Sequence, residues 1–79
     1  RADLAPLKKA MVAAEKHVEK LSKEIAALDA VLADAEVYTT DPVRAQNAAQ
    51  QRGLATKQLA DAENSWLAAT DAYEQASAD

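Results

Sequence analysis

The apolar residues in the first part of the chain recur in steps that alternate strictly between three and four. The positions are Leu4, Leu7, Met11, Ala14, Val18, Leu21, Ile25, Leu28 and Leu32. An average step of about 3.5 residues keeps one narrow stripe on a single side of an α-helix, which is the pattern of a coiled-coil seam. Pro6 is compatible with the first helical turn, where backbone N–H groups have no intrahelical acceptor. The pattern predicts helix 1 over about residues 4–33, with Asp3 or Ala5 as its cap.

The pattern stops after Leu32, and a polar segment follows. Residues 34–41 contain a tyrosine and two threonines, which are poor helix formers, so we expect a turn there. Asp41 followed by Pro42 is typical of a helix N-cap and the first helical position. We therefore expect helix 2 to begin at residue 42 and to continue to about residue 77.

Helix 2 has a seam of its own, again with steps of three and four. Its positions are Ala45, Ala48, Arg52, Ala55, Leu59, Ala62, Trp66, Ala69, Tyr73 and Ala76. Every seventh residue from Ala48 to Ala76 is alanine, which allows a partner backbone to approach closely, while the large side chains fill the alternate layers. A connection of about eight residues brings two helices side by side in opposite directions. The prediction is an all-α fold, a two-helix antiparallel coiled-coil hairpin, in one domain over residues 1–79.

Two seam residues of helix 2 invite a functional interpretation as well as a structural one. Trp66 is expected to pack on Met11 or Ala14, although an exposed tryptophan would serve as a stacking platform. Arg52 is the charged residue of the predicted seam. Its long side chain can reach outward to Glu24 or Asp29, or it can contact a partner.

The composition excludes several classes of protein. Of the 79 residues, 21 are alanine and none is cysteine, so a large enclosed pocket, a disulfide framework and a thiolate metal site are not expected. No run of residues is long and apolar enough for a membrane span, and no signal peptide is recognisable. Because the chain begins at Arg1 rather than at methionine, we expect it to be a piece of a longer protein.

The chain shows no pattern that indicates catalysis. His17 is the single histidine, and it lies beside the seam without a serine partner on its face. Glu15 and Glu19 are two carboxylates without a third donor for a metal ion. One glycine, Gly53, cannot form a glycine-rich phosphate loop. We therefore predict no catalytic, cofactor-binding or metal-binding residue, and no enzymatic activity.

The charges are unevenly distributed along the chain. Residues 1–23 hold six basic and three acidic side chains, whereas residues 24–79 hold three basic and ten acidic ones. Four lysines, called the lysine strip below, follow the side of helix 1 away from the seam: Lys9, Lys16, Lys20 and Lys23. Such a row can meet the phosphates of a nucleic acid, or it can be an ordinary solvated helix face. The net charge of −4 predicts that any such binding is weak.

Three stretches of the sequence resemble the C-terminal domain of the ABC-F family of ATP-binding cassette proteins. They are PLKKAMVAAEKHVEKL, LADAEVYTTDP and AENSWLAATDAYEQA, which together extend from Pro6 to Ala76. Leu32, Asp34 and Tyr38 match the turn of the family pattern, and Trp66 matches its second helix. The Trp-Leu pair preceded by Ala-Glu looks most like the YheS-like branch of that family.

The resemblance implies a non-catalytic appendage of a cytoplasmic ATPase that has no membrane domain. ATP and Mg would bind in the cassette domains of the parent protein, and this fragment would bind neither. The appendage would contact its own cassette domains and help the parent engage DNA, rRNA or the ribosome, as a monomer or with weak self-association. Two alternatives stay open, a structural coiled-coil spacer or dimerisation module, and an arm that grips tRNA like those of some synthetases.

Overall fold

The computed structural model describes residues 3–78, and these form three α-helices. The helices are α1 (Ala5–Ala33), α2 (Val37–Thr40) and α3 (Pro42–Ala78). They account for 92% of the structure, and the described residues contain no strand, so the predicted all-α class is confirmed.

The two long helices lie side by side and run in opposite directions. At about 1.5 Å per residue they are roughly 43 Å and 55 Å long, and the whole molecule measures 62 × 14 × 14 Å. Two neighbouring surface grooves show the direction. One places Val31 of α1 with Ala48 of α3, and the other places Glu24 with Gln58. Residue numbers therefore fall along α1 as they rise along α3, and the molecule is a thin rod.

The core is the contact between α1 and α3. All predicted seam positions of both helices are buried or half-buried, and Leu21 is the most enclosed residue of α1 at 3% exposure. The buried residues of α3 are four alanines, each 5% exposed: Ala45, Ala48, Ala55 and Ala62. Small side chains let the helix backbones approach each other. Among the described residues no large side chain is completely enclosed, so the core is one layer thick.

The predicted turn contains a short helix, which corrects the expectation of only two helices. In α2, the hydroxyls of Thr39 and Thr40 donate to the carbonyl of Glu36 at 3.0 Å and 2.9 Å. These bonds satisfy both hydroxyl groups within a single helical turn. Val37 anchors the turn, since it is only 3% exposed and α2 packs on α3. The aliphatic side chain, rather than the propensity of its neighbours, decides the conformation.

Side chains complete the helix ends on both sides of the tip. The hydroxyl of Tyr38 donates to the carbonyl of Leu32 at 2.6 Å, and this carbonyl belongs to the last turn of α1, where intrahelical donors are missing. The Oδ1 atom of Asp41 accepts from the backbone N–H of Arg44 at 3.1 Å, so Asp41 caps α3. The tip is thus a closed, hydrogen-bonded connection between the two long helices.

Candidate functional site

All four residues of the lysine strip lie in α1 and are exposed to solvent. Lys9, Lys16 and Lys23 follow one another at intervals of seven residues, which corresponds to about 10 Å along the helix axis. Lys20 lies beside the row, between its second and third members. The strip therefore extends over about 21 Å on the side of the rod that faces away from α3.

The structure brings two of these lysines together with a third. Lys9 and Lys16 line a shallow groove along α1 with Lys8, Val12 and two alanines. Lys20 and Lys23 follow on the next turns and do not line it. Lys8 is not among the residues predicted from the sequence. The spacing could have identified it: Lys8 is four residues before Val12, and Val12 is four residues before Lys16, which places all three on one face.

None of the lysines of the lysine strip forms an ion pair with the described part of the chain. Within residues 3–78, one ion pair has its nitrogen and oxygen atoms within 4.0 Å of each other. It joins Arg52 to Asp29. The ammonium groups of the strip therefore have no carboxylate partner among these residues. They can bind an external anion without breaking an internal contact.

Arg52 forms an intramolecular ion pair. Its Nε atom donates to Oδ1 of Asp29, one of the two partners that the sequence suggested. This hydrogen bond, with the attraction of the carboxylate, raises the pKa of Arg52, and a small loss of solvation opposes the effect. Because the side chains are 43% and 49% exposed, water screens the pair and its contribution to stability is small. The pair joins α1 to α3.

The histidine and the two glutamates of α1 that could serve in catalysis do not form a site in the structure. His17, Glu15 and Glu19 are all exposed on α1. In the described range, no group of three or more His, Asp or Glu side chains could hold a metal ion. Trp66 and Tyr73 are half-buried in the seam rather than displayed on the surface.

Neither α1 nor α3 contains a stretch that is long and apolar enough to cross a bilayer, as far as residues 3–78 are concerned.

Comparison with known proteins identifies the family. No curated protein and no solved structure matches the chain significantly. The family model described as the ABC transporter C-terminal domain matches residues 6–70, which is well over half of the sequence. The match includes most of α1, all of α2 and the seam of α3 up to Trp66 and Ala69. The chain therefore belongs to the ABC transporter C-terminal domain family.

Proposed function

We propose that this chain is the non-catalytic C-terminal coiled-coil domain of a cytoplasmic ABC-F ATPase of the YheS-like branch. In this proposal the lysine strip on α1 contacts nucleic acid, either DNA or rRNA, and helps the parent protein engage it or the ribosome. The family match supports the parentage at the level of an ABC-type protein. The observation that carries the binding proposal is the row of four exposed lysines without carboxylate partners in residues 3–78.

The spacing of the lysine strip fits a phosphate backbone. One strand of a B-form duplex presents a phosphate about every 3.4 Å along the axis. A straight row of lysines that extends over about 21 Å can contact phosphates at several points of a duplex, and the flexible side chains adapt to its curvature. If all four lysines contact phosphates, the logarithm of the binding constant should fall with the logarithm of salt concentration at a slope of about −3.6. The net charge of −4 repels the phosphates of the nucleic acid, so the affinity should be weak.

Fluorescence anisotropy at low salt tests the proposal with labelled duplex DNA, an rRNA fragment and tRNA. The double variant Lys9→Glu, Lys23→Glu should abolish binding or reduce the salt slope to about half. Its matched control is Arg44→Glu, Lys57→Glu, which changes the net charge equally on exposed positions of α3. Wild-type binding by the Lys9 and Lys23 variant would reduce the strip to a solvated face. Equal losses in both variants would show only a general effect of charge.

A structural spacer or dimerisation module is the alternative function. The thin shape, 62 Å long and 14 Å across, suits an element that holds two other parts at a distance. A spacer should bind none of the three nucleic acids at any salt concentration. A strong preference for tRNA would instead support an arm of the synthetase type.

The proposal places ATP and Mg in the cassette domains of the parent. Accordingly, calorimetric titration of this chain with Mg-ATP should give no saturable heat, because one glycine cannot supply a phosphate-binding loop. Saturable binding at micromolar concentration would contradict the assignment of a non-catalytic appendage.

A further inference from the structure

The amino acids of α1 limit what the lysine strip can recognise. Ala5–Ala33 contains no arginine, asparagine or glutamine, three of the side chains that read base edges with paired hydrogen bonds. It also contains no phenylalanine, tyrosine or tryptophan on which a base could stack. What α1 offers to a nucleic acid is lysine, a compact charge on a flexible stem.

The side chains that could read bases or stack on them lie elsewhere. Trp66 and Tyr73 are half-buried in the seam of α3. Tyr38 lies at the tip, where its hydroxyl donates to the last turn of α1. Among the described residues, every glutamine, asparagine and arginine belongs to α3. His17 is the one ring side chain of α1, and it lies beside the seam rather than in the row of lysines.

The surface between the lysines is made of small and aliphatic side chains. Lys9 and Lys16 share their groove with Ala5, Val12 and Ala13, and the only polar side chains that line it are lysines. The short side chains stand back from the ammonium groups, which extend further from the helix axis. A phosphate backbone can therefore approach the row without a steric obstacle.

Carboxylates border the strip on both flanks of α1. Glu15 and Glu19 each directly follow a seam residue, whereas Glu24 directly precedes one, so they lie on opposite flanks of the helix. Glu24 also lines the groove between α1 and α3. Lys8 shares the flank of Glu15 and Glu19. All of these side chains are exposed, so the positive charge forms a narrow line along the outer side of α1.

The bordering carboxylates decide how α1 can approach a duplex. A helix that enters the major groove of DNA, which is about 12 Å wide, has a phosphate backbone on each side. In that position Glu15 and Glu19 would face one backbone and Glu24 the other, and the like charges would repel. On the outside of the duplex, by contrast, the line of lysines faces the phosphates. The charges of α1 therefore favour an approach from the outside.

We propose that the lysine strip binds double-stranded nucleic acid from the outside, through its phosphates and without regard to base sequence. This inference rests on the proposed function and names the kind of nucleic acid that the strip recognises. A duplex carries one negative charge for about every 1.7 Å of its axis, a higher charge density than that of a single strand. A surface that offers only ammonium groups therefore binds the duplex more tightly.

A single strand gains less from this surface. It is flexible, so contact with a straight row of lysines must order it at a cost in conformational entropy. Proteins that bind single strands offset this cost by stacking bases on aromatic rings, and the strip has no such ring beside it. Each phosphate contact also releases fewer counterions from a single strand, about 0.7 against about 0.9 from a B-form duplex.

Fluorescence anisotropy with matched oligonucleotides tests the inference. The first probe is a labelled DNA duplex of about 20 base pairs, slightly longer than the 62 Å of the rod. The others are each of its strands alone, a DNA duplex of unrelated sequence, and an RNA duplex of the same length with its separated strands. The strands are chosen without self-complementary segments.

The salt dependence gives the expected result. With four phosphate contacts the logarithmic slope should be about −3.6 for duplex DNA and about −2.8 for its single strands. The preference for the duplex should therefore grow about sixfold for each tenfold decrease in salt concentration. The two DNA duplexes should bind equally within about twofold, because phosphate contacts carry no sequence information. Comparison with the RNA duplex identifies the source, and a preference of either duplex over its own strands supports the inference.

A matched pair of variants tests the approach from the outside. Glu19→Gln should strengthen duplex binding, because the phosphates on the strip pass close to this carboxylate. Glu36→Gln makes the same change at an exposed position of the tip and should have a smaller effect. Equal gains in the two variants would contradict the placement of the duplex on the strip. Far-UV circular dichroism verifies that both variants are folded.

The results that overturn the inference differ from those that refute the proposed function. Single strands that bind as tightly as their duplexes at every salt concentration would overturn the inference. A preference of more than about tenfold between the two DNA duplexes would do the same, since it requires base readout. Both results leave the proposed function intact, because nucleic acid is still bound. Absence of binding to every probe would refute the proposed function and the inference together.

Discussion

Replacing Ala62 by leucine probes the contact on which the whole rod depends. Ala62 is 5% exposed and belongs to the column of alanines that α3 turns toward α1. Packed helices lie about 8–10 Å apart, and small residues place them at the lower end of that range. The added carbon atoms of leucine have no space there. They must push α1 away or adopt a strained rotamer.

The expected cost is about 1–3 kcal/mol, as for other insertions of methylene groups into packed cores. The neighbouring seam layers contain Leu59 and Trp66, so widening the helix pair at Ala62 also loosens these two large contacts. In a domain of this size, each kcal/mol shifts the Tm by about 4–8 °C. Ala62→Leu should therefore lower the Tm by roughly 4 to 24 °C.

Thermal unfolding followed by far-UV circular dichroism measures this change. The matched control is Ala60→Leu, which makes the same substitution two residues earlier at an exposed position of α3. Alanine and leucine have similar helix propensities, so the control should unfold within a few degrees of the wild type. Equal Tm values for the two variants would refute the close contact at Ala62. A Tm above that of the wild type would indicate an unfilled space there.

Three further changes have defined outcomes. Gly53→Ala should stabilise the chain by about 0.5–1 kcal/mol in chemical denaturation, because Gly53 is helical and an added methyl group meets no atom within 4 Å. A loss of stability would mean that this surface is covered. Leu21→Ala should cost about 2–5 kcal/mol, whereas Leu54→Ala, at an exposed position, should stay close to wild type in the same assay. Tyr38→Phe removes the donor to the last turn of α1 and should cost about 0.5–1.5 kcal/mol, and unchanged unfolding would show that water replaces the hydroxyl.

The sequence alone determines the helical class and the direction of the buried stripe. Strict steps of three and four residues leave a helix only one apolar side, and the structure buries or half-buries that side along its length. Alanine at every seventh position of α3 indicates a close approach of two backbones. The exposed lysine strip is equally a consequence of periodicity, because positions seven residues apart from one another share a face wherever that helix lies. Local spacing carries this information, so no tertiary contact is needed to read it.

The tertiary structure decides which residues of α1 and of the tip face which residues of α3. Val37 gave no sequence signal of burial, and only its docking on α3 makes α2 a helical turn instead of an open loop. Asp29, and not Glu24, receives Arg52 because the register of the helices brings it within reach. A seam pattern repeats every seven residues and is compatible with several registers, so the connection and the packing at the tip must select one of them.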